Sequence, residues 1–264
     1  MIVTSLENRP VLEPCTLPEL NYQVDPYIGC EHYCYYCYVL PQAETDWEKE
    51  VGIHADMVER LKSEISHLPP QTIYMGWHTD PYQPCEAEYR QTRQVLELFL
   101  ENGFSASILT KSDLILRDID LLQSMENAAV SVSVAFTDEH IRGLFEARTK
   151  ETAVRISALQ QLKAAGIKTA ALICPVIPHI TDVSPLIDLL AGSADKIWIY
   201  GPSVLNRNVQ NWRNIEAILD RHFPDLKEPV KAAVFSKEHA YWQTLRQDLI
   251  DIQRESKLNL SIHV

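Results

Sequence analysis

Six apolar runs of strand length, at 21–28, 72–77, 105–110, 128–136, 169–176 and 196–200, alternate with helical patterns at 56–67, 86–102, 118–126, 152–165 and 185–190. Strands joined through single helices cannot pair as hairpins. They form βα units with right-handed crossovers and a parallel sheet. About six such units make an α/β fold of the partial (β/α)6 barrel type, open on one side; a flat doubly wound sheet is the alternative, since periodicity does not decide closure. Two helices carry stop signals: the stripe Val95, Leu96, Phe99, Leu100 ends at Asn102-Gly103, and the stripe Ile156, Leu159, Leu162, Ala165 ends at Gly166.

The pattern divides the chain into an irregular arm at 1–20, punctuated by Pro10, Pro14 and Pro18, the barrel at 21–200, and a C-terminal extension at 201–264 packed on it. The extension reads as helices at 212–222 and 239–256 and a last strand at 258–264, with no linker that frees it and no internal repeat. A chain of 264 residues suits one catalytic domain of this kind. No apolar run is long enough to cross a bilayer, and the start MIVTSLENRPVLEPC lacks a secretory pattern, so the expected location is the cytoplasm, with no membrane partner.

Three of the six cysteines fall in the stretch Gly29-Cys30-Glu31-His32-Tyr33-Cys34-Tyr35-Tyr36-Cys37-Tyr38, directly after the first expected strand. Thiols at the carboxyl end of a strand sit where parallel α/β folds place active sites, and soft sulfur ligands suit iron–sulfur or zinc centres. Three ligands on a cubane leave one iron free to bind something else. A structural zinc site needs a fourth ligand, for which His32 is at hand. A triplet of buried structural thiols is the third reading, set against the aromatic residues crowded into the same loop.

Cys-x3-Cys-x2-Cys with an aromatic before the last cysteine resembles the signature of the radical S-adenosylmethionine (SAM) superfamily. The segments DPYIGCEHYCYYCY, TDPYQPCE, LTKSDLILRDIDLL and AAGIKTAALICPVIPHITD are similar to its spore photoproduct lyase-like, or DNA-repair-photolyase-like, branch over roughly 25–182. The resemblance implies a partial barrel in which Cys30, Cys34 and Cys37 hold a [4Fe–4S] cluster. SAM chelates the fourth iron, and an external one-electron donor of flavodoxin or ferredoxin type starts cleavage to a 5′-deoxyadenosyl radical, which abstracts hydrogen from a substrate the sequence does not assign.

By the same resemblance the backbone of Tyr36 lies near the adenine amino group, Thr79 and Asp80 face the methionine amino group with Glu86 as a second candidate, and Lys111 balances the carboxylate. Ser133, ahead of Ser131, meets the ribose, and Val176 flanks the adenine. Arg155 reads as surface charge, Cys174 as a small buried hydrophobe and His179 as a candidate substrate contact. True spore photoproduct lyases return hydrogen from a cysteine near the end of the second strand, where this chain has Trp77-His78. Tyr36 and Tyr38 match the paired tyrosines of those lyases, which leaves Cys85 as the nearest thiol for a catalytic relay.

DNA-lesion repair is therefore one alternative function, and a non-catalytic iron–sulfur or zinc protein is another. The balance of 24 Lys+Arg against 36 Asp+Glu, a net charge of −12, opposes binding to a phosphate backbone. Duplex DNA is expected to bind no better than the weak non-specific range of about 10⁻⁴ M.

Overall fold

The computed structural model describes residues 2–6, 10–43 and 45–264; of the expected N-terminal arm, residues 1 and 7–9 lie outside it. In chain order the strands are β1 (Ile2–Leu6), β2 (Leu12–Pro14), β3 (Tyr22–Val24), β4 (Tyr27–Ile28), β5 (Glu50–His54), β6 (Thr72–Met75), β7 (Ser105–Thr110), β8 (Ala129–Ser133), β9 (Lys168–Ile173), β10 (Lys196–Tyr200) and β11 (Leu260–His263). The helices are α1 (Met57–Ile65), α2 (Glu86–Tyr89), α3 (Gln91–Glu101), α4 (Ile119–Ser124), α5 (Glu139–Phe145), α6 (Thr152–Ala164), α7 (Val183–Leu190), α8 (Gln210–His222), α9 (Lys227–Val234) and α10 (Ala240–Ser256).

The main sheet has eight strands in the order β11-β10-β9-β8-β7-β6-β3-β2, parallel throughout except for β2 at one edge, which runs antiparallel to β3. It is not closed: β11 and β2 are separate edges, so the partial-barrel expectation holds and the sheet has an open side. A second sheet, β1-β5-β4, lies outside it.

Side-chain alternation explains the layering. Ile73, Met75, Ala106, Ile108, Val130, Val132, Ala171, Ile173, Ile197 and Ile199 are buried beneath the helices, where Val95, Leu96, Phe99, Leu159 and Leu162 meet them. The intervening positions Tyr74, Leu109, Ser131, Leu172, Trp198 and Tyr200 are only half-buried and line the opposite, inward face. Both expected helix stops are present, with Gly103 at φ +75° and Gly166 at φ +80°.

Two expected elements are divided in the structure. The run 21–28 becomes β3 and β4 because Pro26 lacks an N–H and the Asp25 carboxylate turns away to accept the Trp77 and His78 amides at 3.0 and 3.1 Å; the two halves then enter different sheets. The helix at 86–102 is broken by Arg90 at φ +54°. That reversal lets the Glu86 carboxylate accept the Thr92 amide at 2.9 Å and the Arg93 amide at 3.3 Å, filling the orphan donors of the first turn of α3.

The extension is part of the core that carries the cysteines. Trp212, Ile215 and Leu219 of α8 and Val230 of α9 form one buried cluster with Cys34, Tyr36, Phe136, Phe145 and Ile177. Asn211 and Asn214 of α8 donate through Nδ2 to the carbonyls of Tyr36 at 3.4 Å and Tyr35 at 3.1 Å. The helix thus covers the loop and satisfies backbone groups that the irregular chain leaves open.

Candidate functional site

The loop that follows β4 brings three thiols together at the carboxyl end of the sheet. Gly29 opens it at φ +85°, and a Cβ there would stand 3.1 Å from the Trp47 ring, so position and conformation both require glycine. Cys34 is buried and Cys30 and Cys37 are half-buried. Burial pushes the Cys30 thiol up to about 12, with the charges of Asp80 and Cys37 adding to the rise and the amides of Asp80 and His32 opposing it. Burial likewise raises Cys34 and Cys37. The Lys111 charge opposes it at both sulfurs, and the Val39 and Leu40 amides oppose it at Cys37.

No three His, Cys, Asp or Glu side chains among the described residues are arranged around a single ion. The donor set itself fits an iron–sulfur cluster. It consists of three soft thiols on one loop, with the charge of Cys37 reaching Cys30 and those of Cys30 and Cys37 reaching Cys34, backbone N–H groups directed at two of the sulfurs and a cation nearby. His32, the expected fourth ligand of the zinc reading, is turned elsewhere. Its Nδ1 is 3.2 Å from the Arg148 carbonyl, and its Nε2 is 3.3 Å from Asp80 Oδ2, within ion-pair distance but out of line for a hydrogen bond.

Asp80 is the knot between strand ends. Its carboxylate accepts from Thr110 Oγ1 at 2.6 Å, the Lys111 amide at 2.7 Å and the Tyr82 amide at 2.9 Å, while His32 approaches from the cysteine loop. Burial works against its ionisation, but His32 and these donors outweigh burial and hold the carboxyl below its usual range. The same device occurs one strand earlier. Asp25-Pro26-Tyr27 and Asp80-Pro81-Tyr82 each use the aspartate to hold the loop after the next strand and the tyrosine hydroxyl to reach an acid beyond it, Glu86 for Tyr27 and Asp118 for Tyr82. Gly76 makes the first of these turns at φ +105°, where a Cβ would fall 2.4 Å from the Leu109 carbonyl oxygen.

Lys111 and Ser133, expected to meet different parts of one ligand, touch each other: Lys111 Nζ donates to Ser133 Oγ at 2.7 Å and lies 5.9 Å from the centroid of the Tyr36 ring. The Tyr36 hydroxyl donates to Glu146, which is fully buried and paired with Arg155 at 2.5 Å. Arg155 is not surface charge. It is 1% exposed and donates to the carbonyls of Ser133 and Lys150, to Glu146 and to Thr149. Sequence patterning gave no sign of Glu146, because an acid in a short helix-to-helix loop looks solvated until its partners are known.

Other expected positions separate from this group. Glu86 is fully buried, its carboxylate occupied by Tyr27, Thr92, Arg93 and Arg117, and it is not brought to the thiols. Thr79 donates to the Gly29 carbonyl at 2.5 Å and accepts from Gln83, so it braces the cysteine loop from beneath. Val176 is enclosed, with its amide on the Tyr200 carbonyl at 2.8 Å. Tyr38 is 39% exposed and donates to the Trp77 carbonyl, whereas Cys85 packs with Tyr27 and Val51 and its amide donates to Glu31 at 2.5 Å. Tyr38 is not part of the cluster that holds Cys85. Cys174, expected as a buried hydrophobe, is half-buried at the end of β9, where it feels the charges of Lys111 and Cys37, and the His179 ring lies tilted at 57° to that of Tyr241 with centroids 4.8 Å apart.

Residues 24–190 match the family model of the radical SAM superfamily. The chain belongs to that superfamily. An uncharacterized protein of Methanocaldococcus jannaschii is 30% identical over 189 residues, 70% of this chain and 71% of that protein. Spore photoproduct lyase of Clostridium acetobutylicum is 23% identical over 184 residues, 68% of this chain and 54% of the lyase.

Among solved structures, spore photoproduct lyase complexed with dinucleoside spore photoproduct superposes with a TM-score of 0.61 at 15% identity, over 86% of this chain and 69% of that one. Streptococcus suis SuiB bound to precursor peptide SuiA gives 0.60 at 12% identity, over 90% of this chain and 47% of SuiB. These likenesses establish the radical SAM fold. The matched part of this radical SAM chain spans about half the length of the Clostridium acetobutylicum lyase and of SuiB. Among the described residues, no helix is long and apolar enough to cross a membrane.

Proposed function

We propose that this radical SAM enzyme holds a [4Fe–4S] cluster on Cys30, Cys34 and Cys37 and cleaves SAM reductively to begin hydrogen abstraction from its substrate. The observation that carries the reading is the convergence on one strand-end site of the three coupled thiols and Lys111, whose charge reaches Cys34 and Cys37 and whose ammonium is held on Ser133. When bound, cluster and SAM together supply a one-electron cleavage that yields a 5′-deoxyadenosyl radical.

The chain's own residues bind, orient and exclude water. Lys111 is placed for the SAM carboxylate, Ser133 for a ribose hydroxyl, and the Tyr36 backbone, fixed by Asn211 and by the Tyr36 hydroxyl on Glu146, for the adenine edge. Thr79 and Asp80 act beneath this surface as braces of the cysteine and Lys111 loops. The electron comes from a one-electron donor of flavodoxin or ferredoxin type.

The protein, reconstituted without oxygen and reduced with dithionite, should release 5′-deoxyadenosine from SAM slowly in the absence of substrate. Absence of this product from cluster-loaded protein would overturn the reading. Lys111→Ala should weaken SAM binding by about 1.5 to 3 kcal/mol, roughly ten- to hundredfold, through loss of a charge-assisted contact. Calorimetric titration with SAM measures it, and an unchanged dissociation constant removes Lys111 from the site.

Two features favour a substrate other than a DNA lesion. The thiol nearest in sequence to the missing donor, Cys85, is grouped with Tyr27 and Val51 instead of Tyr38, and the chain carries a net charge of −12.

A further inference from the structure

A second group of chemically capable side chains lies beside the cysteine loop and has no part in holding the cluster. Asp25, at the end of β3, accepts from His78 Nδ1 at 2.9 Å while also holding the Trp77 and His78 amides. Glu13 Oε2 of β2 stands 3.9 Å from the same Nδ1, and the buried Gln23 places Nε2 3.5 Å from Glu13 and 3.4 Å from Nδ1. With a carboxylate at 2.9 Å and a second behind it, Nδ1 carries the proton, and the assignment follows from this network. Nε2 is then the basic nitrogen. Among the described residues it has no hydrogen-bond partner, although the turn that bears it is pinned at two amides.

His78 lines a cavity of about 400 Å³, whose walls include Val11, Val39 and Trp47 on the apolar side and Glu13, Asp25 and His54 on the titratable side. The cavity touches Gly29, next to Cys30, and its histidine occupies the strand end where the sequence offered no thiol.

We propose that Asp25 and His78 form an acid–base dyad, in which His78 Nε2 takes a proton from an O–H or N–H group of a small molecule held in this cavity. The lone pair on Nε2 accepts the proton, the O–H or N–H bond gives up its electrons to the substrate heteroatom, and Asp25 holds the resulting imidazolium through Nδ1–H. The proton leaves to water, since the His78 side chain is 41% exposed. The site goes beyond radical chemistry and does not depend on a cluster being bound.

The dyad is tested on the full chain as purified, with p-nitrophenyl acetate as probe: water supplies the O–H that Nε2 deprotonates, its oxygen bonds to the ester carbon, and the ester C–O bond breaks to release p-nitrophenolate and acetate without any cofactor. Release of p-nitrophenolate should rise with pH as His78 loses its proton. The hydrogen bond that His78 Nδ1 donates to Asp25, against burial and helped by the charges of Asp25 and Glu13, raises His78 above the ordinary value. The midpoint should therefore lie above about 6.5. His78→Gln should lower the rate at least about tenfold, Asp25→Asn should move the midpoint down, and His67→Gln, on the exposed chain after α1, should change neither.

An unchanged rate in His78→Gln overturns the proposal, as does an unmoved midpoint in a folded Asp25→Asn. Should Asp25→Asn fail to fold, nitrogen-15 spectra of the histidine rings in the unaltered protein decide: the Nδ1–H tautomer at His78 supports the dyad, and the Nε2–H tautomer refutes it. Loss of 5′-deoxyadenosine formation with the dyad intact refutes only the radical reading.

Discussion

Replacing any one of Cys30, Cys34 or Cys37 by alanine is expected to abolish cluster binding, while Cys15→Ala, Cys85→Ala and Cys174→Ala retain it. Anaerobically reconstituted protein should contain about four iron and four sulfide per chain, and each of the first three variants close to none. The contrast follows from placement. The first three thiols share one loop, whereas Cys85 is paired with the Glu31 carboxylate, Cys15 follows β2, and Cys174 follows β9, where it feels Lys111 and Cys37 but comes from a different strand end.

Burial keeps the three thiols protonated in the bare protein, with Cys30 pushed up to about 12, so taking up metal must displace protons. Iron uptake should therefore weaken as pH falls. Iron and labile sulfide assays across the six variants check the first statement, and stoichiometric zinc without iron in protein purified without oxygen would refute it.

The parts of this site that were legible in the sequence are those written in local spacing. β7 and β10 fall on the expected residues, because an apolar run bounded by turn residues has few alternatives. The cysteine loop, Lys111 after β7 and Ser133 at the end of β8 could be located because parallel strands present their carboxyl ends on one side. What could not be read depends on partners far apart in sequence.

Glu86 begins a helix and looks like any first-turn acid, and only the reversal at Arg90 shows that its carboxylate caps α3. The cover that α8 lays over Cys34 and Tyr36 joins residues more than 170 positions apart, as in the bond from Asn211 to the Tyr36 carbonyl. The helix α9 was missed because Pro229 reads as a breaker, although proline is tolerated in the first turn, where its missing N–H would be unpaired in any case. β1 and β5 are short, and β5 contains Gly52; the pairing of β5 with β1 on one side and β4 on the other is a tertiary event that no local propensity records.

Arg155→Met is expected to destabilise the fold by about 3–5 kcal/mol, the range for breaking a buried ion pair by removing one partner. The guanidinium is 1% exposed and the Glu146 carboxylate fully buried at 2.5 Å, so a lone Glu146 would keep its desolvation cost and lose its counter-charge. The carbonyls of Ser133 and Lys150 would also lose donors at 2.9 and 2.8 Å. At about 2–4 °C per kcal/mol for a chain of this size, the melting temperature should fall by roughly 10 °C.

Arg155→Met combined with Glu146→Leu should recover part of that loss, because removing both charges leaves no unpaired ion in the core. Recovery cannot be complete, since the Tyr36 hydroxyl donates to Glu146 and would be left without its acceptor beside the cysteine loop. Thermal unfolding of both variants tests the argument: a single variant within about 1 kcal/mol of the parent would show that water reaches Glu146, and the pair would then not be what locks Tyr36 beneath Lys111.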